Sequence, residues 1–185
     1  AVCLKLSPKG NCPNIVHGPI SRWDVSGVSD MRGLFTNRDS FSGDISKWDL
    51  SSVVSTSHMF MQATSFNGDL SNWDVFRVTD MSRMFRWATA FNGDISKWEV
   101  ASATVMDEMF LHASSFKQVL CGFAWLRSKA SKEDMFTGSF GTISLIACPT
   151  IDIITTFASR AELKTAINAC LKLSSEGDWS KGPHG

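Results

Sequence analysis

The chain has no tyrosine, although it carries seven tryptophans and thirteen phenylalanines among its 185 residues. Copying one short unit produces so uneven an aromatic set, because duplication multiplies the biases of the unit. Neither charge is in excess: 18 Lys and Arg balance 18 Asp and Glu, with no basic run. Displacing counterions from phosphate needs a basic excess, so no nucleic-acid partner is expected. No apolar run reaches the ~18 residues of a membrane-spanning helix. The most apolar stretch, residues 143–157, is broken by Cys148, Pro149 and Asp152. No transmembrane segment is therefore expected, and any targeting segment has been removed or lies outside this chain. His17, His58, His112 and His184 show no HxH or HxxxH spacing, and no two cysteines form CxxC. Nor is there a GxSxG elbow, a phosphate-binding glycine loop or a Ser/His/Asp grouping. No catalytic, cofactor-binding or metal-ligating residues are expected, and enzymatic function is not anticipated.

What the chain does have is a repeat. Trp23, Trp48, Trp73 and Trp98 fall 25 residues apart, as do Phe35, Phe60, Phe85 and Phe110. Phe41, Phe66, Phe91 and Phe116 keep the same interval, as do Ile20, Ile45, Leu70, Ile95 and Leu120. Residues 66–90 read FNGDLSNWDVFRVTDMSRMFRWATA. Leu70, Trp73, Val75 and Val78 form an apolar-spaced run suited to a short strand. Thr79 is a good helix N-cap. Met81, Met84 and Phe85 recur at i, i+3 and i+4, which predicts a short helix. Asn92-Gly93 predicts a turn. One such unit cannot bury its apolar face alone, so the copies are expected to stack into a solenoid with a shared core of Trp, Phe and Met columns. The expected fold class is an α/β repeat, one short strand and one short helix per 25-residue coil.

The array degrades at its ends, as capping repeats do. In the fifth unit Phe116 and Leu120 keep phase, Phe123 takes the place of the Trp, and Met135-Phe136 arrives one residue late. The first unit has His17-Gly18-Pro19 where Asn-Gly-Asp stands in the third and fourth. A longer repeat lies over this one. CLKLS occurs at residues 3–7 and again at 170–174, and at the same offset Gly10, His17 and Gly18 match Gly177, His184 and Gly185. The chain therefore reads as one copy from a longer tandem array. Ser159 and Glu162 make a capping box ahead of the stripe Leu163, Ala166, Ile167, Cys170 and Leu171. The expected organisation is the end of a preceding helix and loop over 1–16 and about five repeats over 17–137. An irregular capping segment follows over 138–158, then an amphipathic helix over 159–174 and the start of a next unit or tail over 175–185.

The longer repeat bears on the cysteines. The position matching Cys12 in the second copy is Trp179, which leaves Cys170 without a counterpart. Disulfides Cys3–Cys12 and Cys121–Cys148 are expected, with Cys170 free or buried in the helix stripe, and an oxidising compartment follows from them. Five reduced core cysteines are the alternative. Asp44, Asp69 and Asp94 form one carboxylate ladder, and Asp24, Asp49, Asp74 and Glu99 form another. Calcium could neutralise such ladders, but acceptance from turn N–H groups is the simpler reading. The positions that vary between copies are where partner specificity would be written. They include Arg22, Lys47, Asn72 and Lys97 just before the Trp column, together with Arg77, Arg83, Arg86 and Trp87. These make a candidate interaction surface, because Arg and Trp are favoured interface anchors.

The string FNGDLSNWDV followed by RVTDMSRMF resembles the 25–26-residue repeat of bacterial surface lipoproteins of Listeria and Mycoplasma type, allied to the BspA-like leucine-rich repeats, over about residues 17–137. The resemblance implies a leucine-rich-repeat-like solenoid, a cell-surface or adhesive role and no enzymatic activity. The flanks CLKLSPKGNC, HGPISRWDV and SRAELKTAINACLKLS resemble tandem-array versions of the repeat in dinoflagellate algae. Three functional readings follow. The first is a non-catalytic protein-interaction or scaffold module outside the cytoplasm, at the cell surface or secreted. The second is a processed unit serving as a peripheral structural subunit of an organelle membrane complex, photosynthetic and in the thylakoid lumen. The third is cell-surface adhesion.

Overall fold

The chain divides into two compact units, Ala1–Cys148 and Pro149–Gly185. The computed structural model describes residues 18–144, within the first unit. The expected helix over 159–174, the segments 1–16 and 175–185, and both ends of the Cys3–Cys12 pairing lie outside the described residues.

Regular elements are few. Among the described residues there are a 3-10 turn at Ile20–Arg22, strand β1 (Val119–Leu120), helix α1 (Phe123–Arg127) and strand β2 (Thr142–Ile143). The repeated unit is built instead from tight turns. In residues 66–90 the buried positions are Phe66, Leu70, Trp73, Val75, Val78, Met81, Met84, Phe85 and Ala88. Most of these are joined in pairs three residues apart. The N–H of Trp73 donates to the carbonyl of Leu70, Val78 to Val75, Met84 to Met81, and Ala88 to Phe85. Each of these four turns begins and ends on a buried residue, while the turn closed by the Arg86 N–H on the Arg83 carbonyl faces outward.

The amides between these turn-closing residues reach the next copy. Met81, Arg83, Phe85 and Trp87 donate to the carbonyls of Val105, Asp107, Met109 and Leu111 at 2.9 Å each. The same bonds run from Met31, Gly33, Phe35 and Asn37 to Ser55, Ser57, Met59 and Met61, and from Thr56, His58, Phe60 and Gln62 to the third copy. Here the expected helix fails. An α-helix needs every N–H to bond four residues back within its own segment, whereas alternate amides here are committed to a neighbouring coil. The i, i+3 spacing of Met81 and Met84 reflects turn closure.

The expected strand through Leu70 and Val78 is likewise replaced by turns at 71–72 and 76–77. Strand-like pairing is reduced to single parallel bridges: Asp30 with Ser55, Ser55 with Asp80, Asp80 with Val105, and Val105 with Ser131. Thr79 caps no helix, and its hydroxyl donates to the Val54 carbonyl of the preceding copy. Asn92-Gly93 is not a turn either. A Cβ on Gly93 would lie 3.0 Å from the Phe91 ring, and one on Gly68 2.9 Å from Phe66. Glycine is required there by close packing of the ring. The asparagines link copies, with the Asn67 side-chain oxygen accepting from the Asn92 N–H and that of Asn92 from the Lys117 N–H.

In the core the side chains align in columns. The rings of Phe35, Phe60, Phe85, Phe110 and Phe136 stack at 5.4, 5.5, 5.5 and 5.6 Å. A second column through Phe66, Phe91 and Phe116 lies against the first, with Phe85 and Phe91 at 3.9 Å. The indole N–H groups of Trp48, Trp73 and Trp98 donate to the carbonyls of Ile20, Ile45 and Leu70 in the preceding copy, at 3.0, 3.1 and 2.8 Å. In the fifth copy Trp125, on α1, takes this place: it is buried and donates to Ile95 at 3.3 Å. Phe123, expected there from phase, is exposed instead. The insertion of α1 shifts the downstream spacing, so Phe110 and His112 donate to Met135 and Thr137. Pairing continues past residue 137, where β2 lies parallel to β1 with Val119 opposite Thr142.

Replacing a Trp of this column removes ring volume and a buried donor together. Trp73→Phe is expected to lower unfolding free energy by about 2 kcal/mol, and Trp73→Ala by about 3–5 kcal/mol. Urea unfolding followed by circular dichroism measures both. A Trp73→Phe chain as stable as the wild type would remove the indole bond from the account.

Candidate interaction surface

Committing alternate amides to the next coil constrains the backbone. Each run of turns returns to the left-handed region twice. One column of such residues is Gly33, His58, Arg83, Glu108 and Asp134, and the other is Asn37, Gln62, Trp87, His112 and Gly138, all with φ between 51° and 74°. None of these residues is buried. Glycine adopts this conformation freely and Asn or Asp at little cost, whereas other L-residues lose about 1–2 kcal/mol each. His58, Gln62, Arg83, Trp87, Glu108 and His112 therefore occupy positions that local energetics would give to glycine.

Their side chains make two sets of contacts between neighbouring copies, one around Glu108 and one between Trp87 and His112. Arg83 Nη2 meets Glu108 Oε1 at 2.6 Å, and Arg86 Nη1 meets Oε2 at 2.9 Å. The hydrogen bond from Arg83 holds the Glu108 carboxyl below the usual carboxylate range. Burial, and secondarily the charge of Arg83, holds His58 below the usual imidazole range. Trp87 remains 41% exposed and lies over His112, ring centroids 4.2 Å apart. Gly138 makes room for that imidazole, since a Cβ there would collide with His112 Nδ1.

The structure divides the residues expected at an interaction surface. Arg83 and Arg86 meet on Glu108, while Trp87, the residue after Arg86, packs on His112. Arg22, Lys47, Asn72 and Lys97 are exposed in register on a different turn of the coil, and Arg77 is exposed one turn further on. None of these five makes an ion pair among the described residues. Sequence reasoning missed Glu108, His58 and His112. The signal was present, because the 25-residue interval places Glu108 under Arg83 and His112 under Trp87. Reading the segment as a helix hid it.

The aspartate ladders serve the turns. Asp44, Asp69 and Asp94 accept from the N–H groups of Ser46, Ser71 and Ser96, and Asp24, Asp49 and Asp74 from Ser26, Ser51 and Phe76. Hydrogen bonds from serine hold Asp24, Asp44, Asp49 and Asp69 below the ordinary carboxylate range. Cys121 is disulfide-bonded, and every other cysteine lies outside the described residues.

A family model described as a Mycoplasma protein of unknown function, DUF285, matches residues 9–123. The chain belongs to the DUF285 family. No curated protein and no solved structure matches it. The DUF285 match spans the coils that hold Arg83, Arg86, Trp87, Glu108 and His112 and stops at the first residue of α1. None of the described helices is long and apolar enough to cross a membrane.

Two predictions follow from this geometry. Gln62, exposed and left-handed, should tolerate glycine with unchanged stability or a gain of up to about 1 kcal/mol, whereas Gln62→Val should cost about 1–2 kcal/mol. Denaturant titration distinguishes them, and equal stability of the two variants would contradict the backbone assignment. The depressed carboxylates stabilise the fold above their unfolded pKa near 4, and this contribution is lost as pH falls through their lower folded values. The melting temperature should be flat above about pH 5 and fall below about pH 4. Asp44→Asn with Asp69→Asn keeps the turn acceptors and should flatten that fall.

Proposed function

We propose that this DUF285 chain is a non-catalytic protein-interaction module whose turn-built coils form a leucine-rich-repeat-like solenoid. The observation that carries the reading is the set of left-handed residues Arg83, Trp87 and Glu108, none of which is buried. Partly exposed ion pairs contribute about 0–1 kcal/mol each. The left-handed backbone at Arg83 and Glu108 costs about as much or more. Stability therefore does not explain why these residues stand where glycine would be cheapest, and backbone strain held at exposed side chains is a mark of functional positions. An exposed Trp and two arginines on one short run of turns, residues 83–87, is the composition of an interface anchor.

The disulfide at Cys121 supports an oxidising, extracytoplasmic setting, since such bonds are rare in reducing compartments. Cys148 is the partner we assign to Cys121, and protein, rather than nucleic acid, is the partner class we assign to the module.

The test uses the tagged full chain in extract from the native source, with complexes separated by size-exclusion chromatography and light scattering. The wild type is expected to shift into a complex. Trp87→Ala should weaken that complex by about tenfold or more while leaving the melting temperature within about 3 °C, and Arg83→Glu with Arg86→Glu should weaken it likewise. A chain that stays monomeric throughout, or a hydrolase or transferase activity abolished by one Asp or His substitution, would overturn the reading.

A further inference from the structure

The fourth and fifth coils depart from the repeat on both sides of one groove. Where the third coil carries Phe76, Arg77 and Val78, the fourth carries Ala101, Ser102 and Ala103. Trimming these side chains lowers one wall. On the other side α1 replaces the tight turns of earlier coils, which buries Trp125 and puts Phe123 outside with 70% of its surface exposed. Between the walls lies a groove of about 590 Å³. Its apolar lining comes from Ala101, Ala103, Phe123 and Ala124, and its basic groups are Arg127 and Lys129.

The electrostatics are one-sided. The Arg127 guanidinium lies 5.0 Å from the centre of the Phe123 ring. Neither Arg127 nor Lys129 has an ion-pair partner among the described residues, and no described carboxylate lines the groove. Two other surface hollows differ in this respect, since each has an acid beside its base: Asp30 with Arg32, and Asp24 with Arg22. An apolar floor with two uncompensated cations at its rim is complementary to an apolar side chain flanked by carboxylates.

We infer that this groove is a second docking site and that its occupant is an acidic segment of a partner protein, carrying an aromatic or aliphatic side chain between carboxylates. The apolar side chain lies against Phe123 and the alanines, and the carboxylates meet Arg127 and Lys129. The inference rests on the interaction-module reading and deepens it by naming a further face and the chemistry of the segment it takes. The match to the family model ends at Phe123, the first residue of α1, so one wall of the groove lies within the match and the other begins at its end.

The probe is a fluorescein-labelled synthetic decapeptide of alternating Glu and Phe, titrated with the full chain and read by fluorescence anisotropy. A Lys/Phe peptide is the control. Saturable binding of the acidic peptide alone is expected, weakening with added salt. Arg127→Glu with Lys129→Glu should reduce affinity by about tenfold or more. Ala101→Phe should do the same by filling the groove without changing charge, and it should fold, because Phe76 stands exposed at the equivalent position. Arg83→Glu with Arg86→Glu should change affinity by less than about twofold. Equal binding by the groove variants, or no binding by the wild type, overturns the proposal. Loss on Arg83/Arg86 reversal alone also overturns it, while leaving the interaction-module reading in place. An intrachain photocrosslink from benzoylphenylalanine at position 123 in the free chain would show that the chain fills its own groove, which likewise overturns the proposal.

Discussion

The structure depends on a division of labour among backbone amides. Within each run of turns, one N–H closes a turn onto the residue three back, and the next reaches a carbonyl of the following coil. Every buried amide needs an acceptor, and this alternation satisfies them without helix or extended strand. It also fixes the interval. Turn-closing pairs such as Met81–Met84 and Phe85–Ala88 are buried at both members, while Arg83–Arg86 between them faces outward, and the bridging amides require the next copy to present its carbonyls in the same order. The insertion in the fifth coil is accommodated in the segment around α1, and the bridging pattern resumes beyond it with each acceptor one residue later.

The aromatic composition follows from that frame. Coils held in register by backbone bonds bring identical side chains into line, which suits the flat, unsubstituted ring of Phe. A tyrosine hydroxyl in the same column would be buried and would need a partner inside the stack. Trp is used where a donor has somewhere to go, since its indole N–H reaches a carbonyl of the coil before. This bond, rather than the interval, decides which aromatic of the fifth coil continues the column: Trp125 reaches Ile95 and Phe123 is left outside.

The same frame separates scaffold from surface. Positions that bridge coils are constrained in backbone but free in side chain, and the left-handed columns are both strained and outward-facing. A series of coils can therefore carry a different group at each step, as in His58, Arg83, Glu108 and Asp134, without disturbing the core. The groove at α1 arises differently, from shortened side chains in one coil and an inserted helix in the next. The two surfaces thus represent the two ways such an array diversifies: substitution at outward columns, and interruption of the repeat.

The amino-acid sequence by itself determined the unit, its length, the buried columns of Trp, Phe and Met, and the turn role of the aspartates. These follow from which residues are apolar and how often they recur. It also marked Arg83, Arg86 and Trp87 as departures from the repeat. What only the tertiary structure decided is where the amides go. Met81, Met84 and Phe85 have the spacing of a helix face, and nothing local distinguishes a helix from turns whose alternate donors are taken by another coil. That choice rests on acceptors 24 residues away. It made the segment left-handed at Arg83 and Trp87, brought Glu108 and His112 beneath them, and turned glycine at 93 from a turn former into a space for a ring.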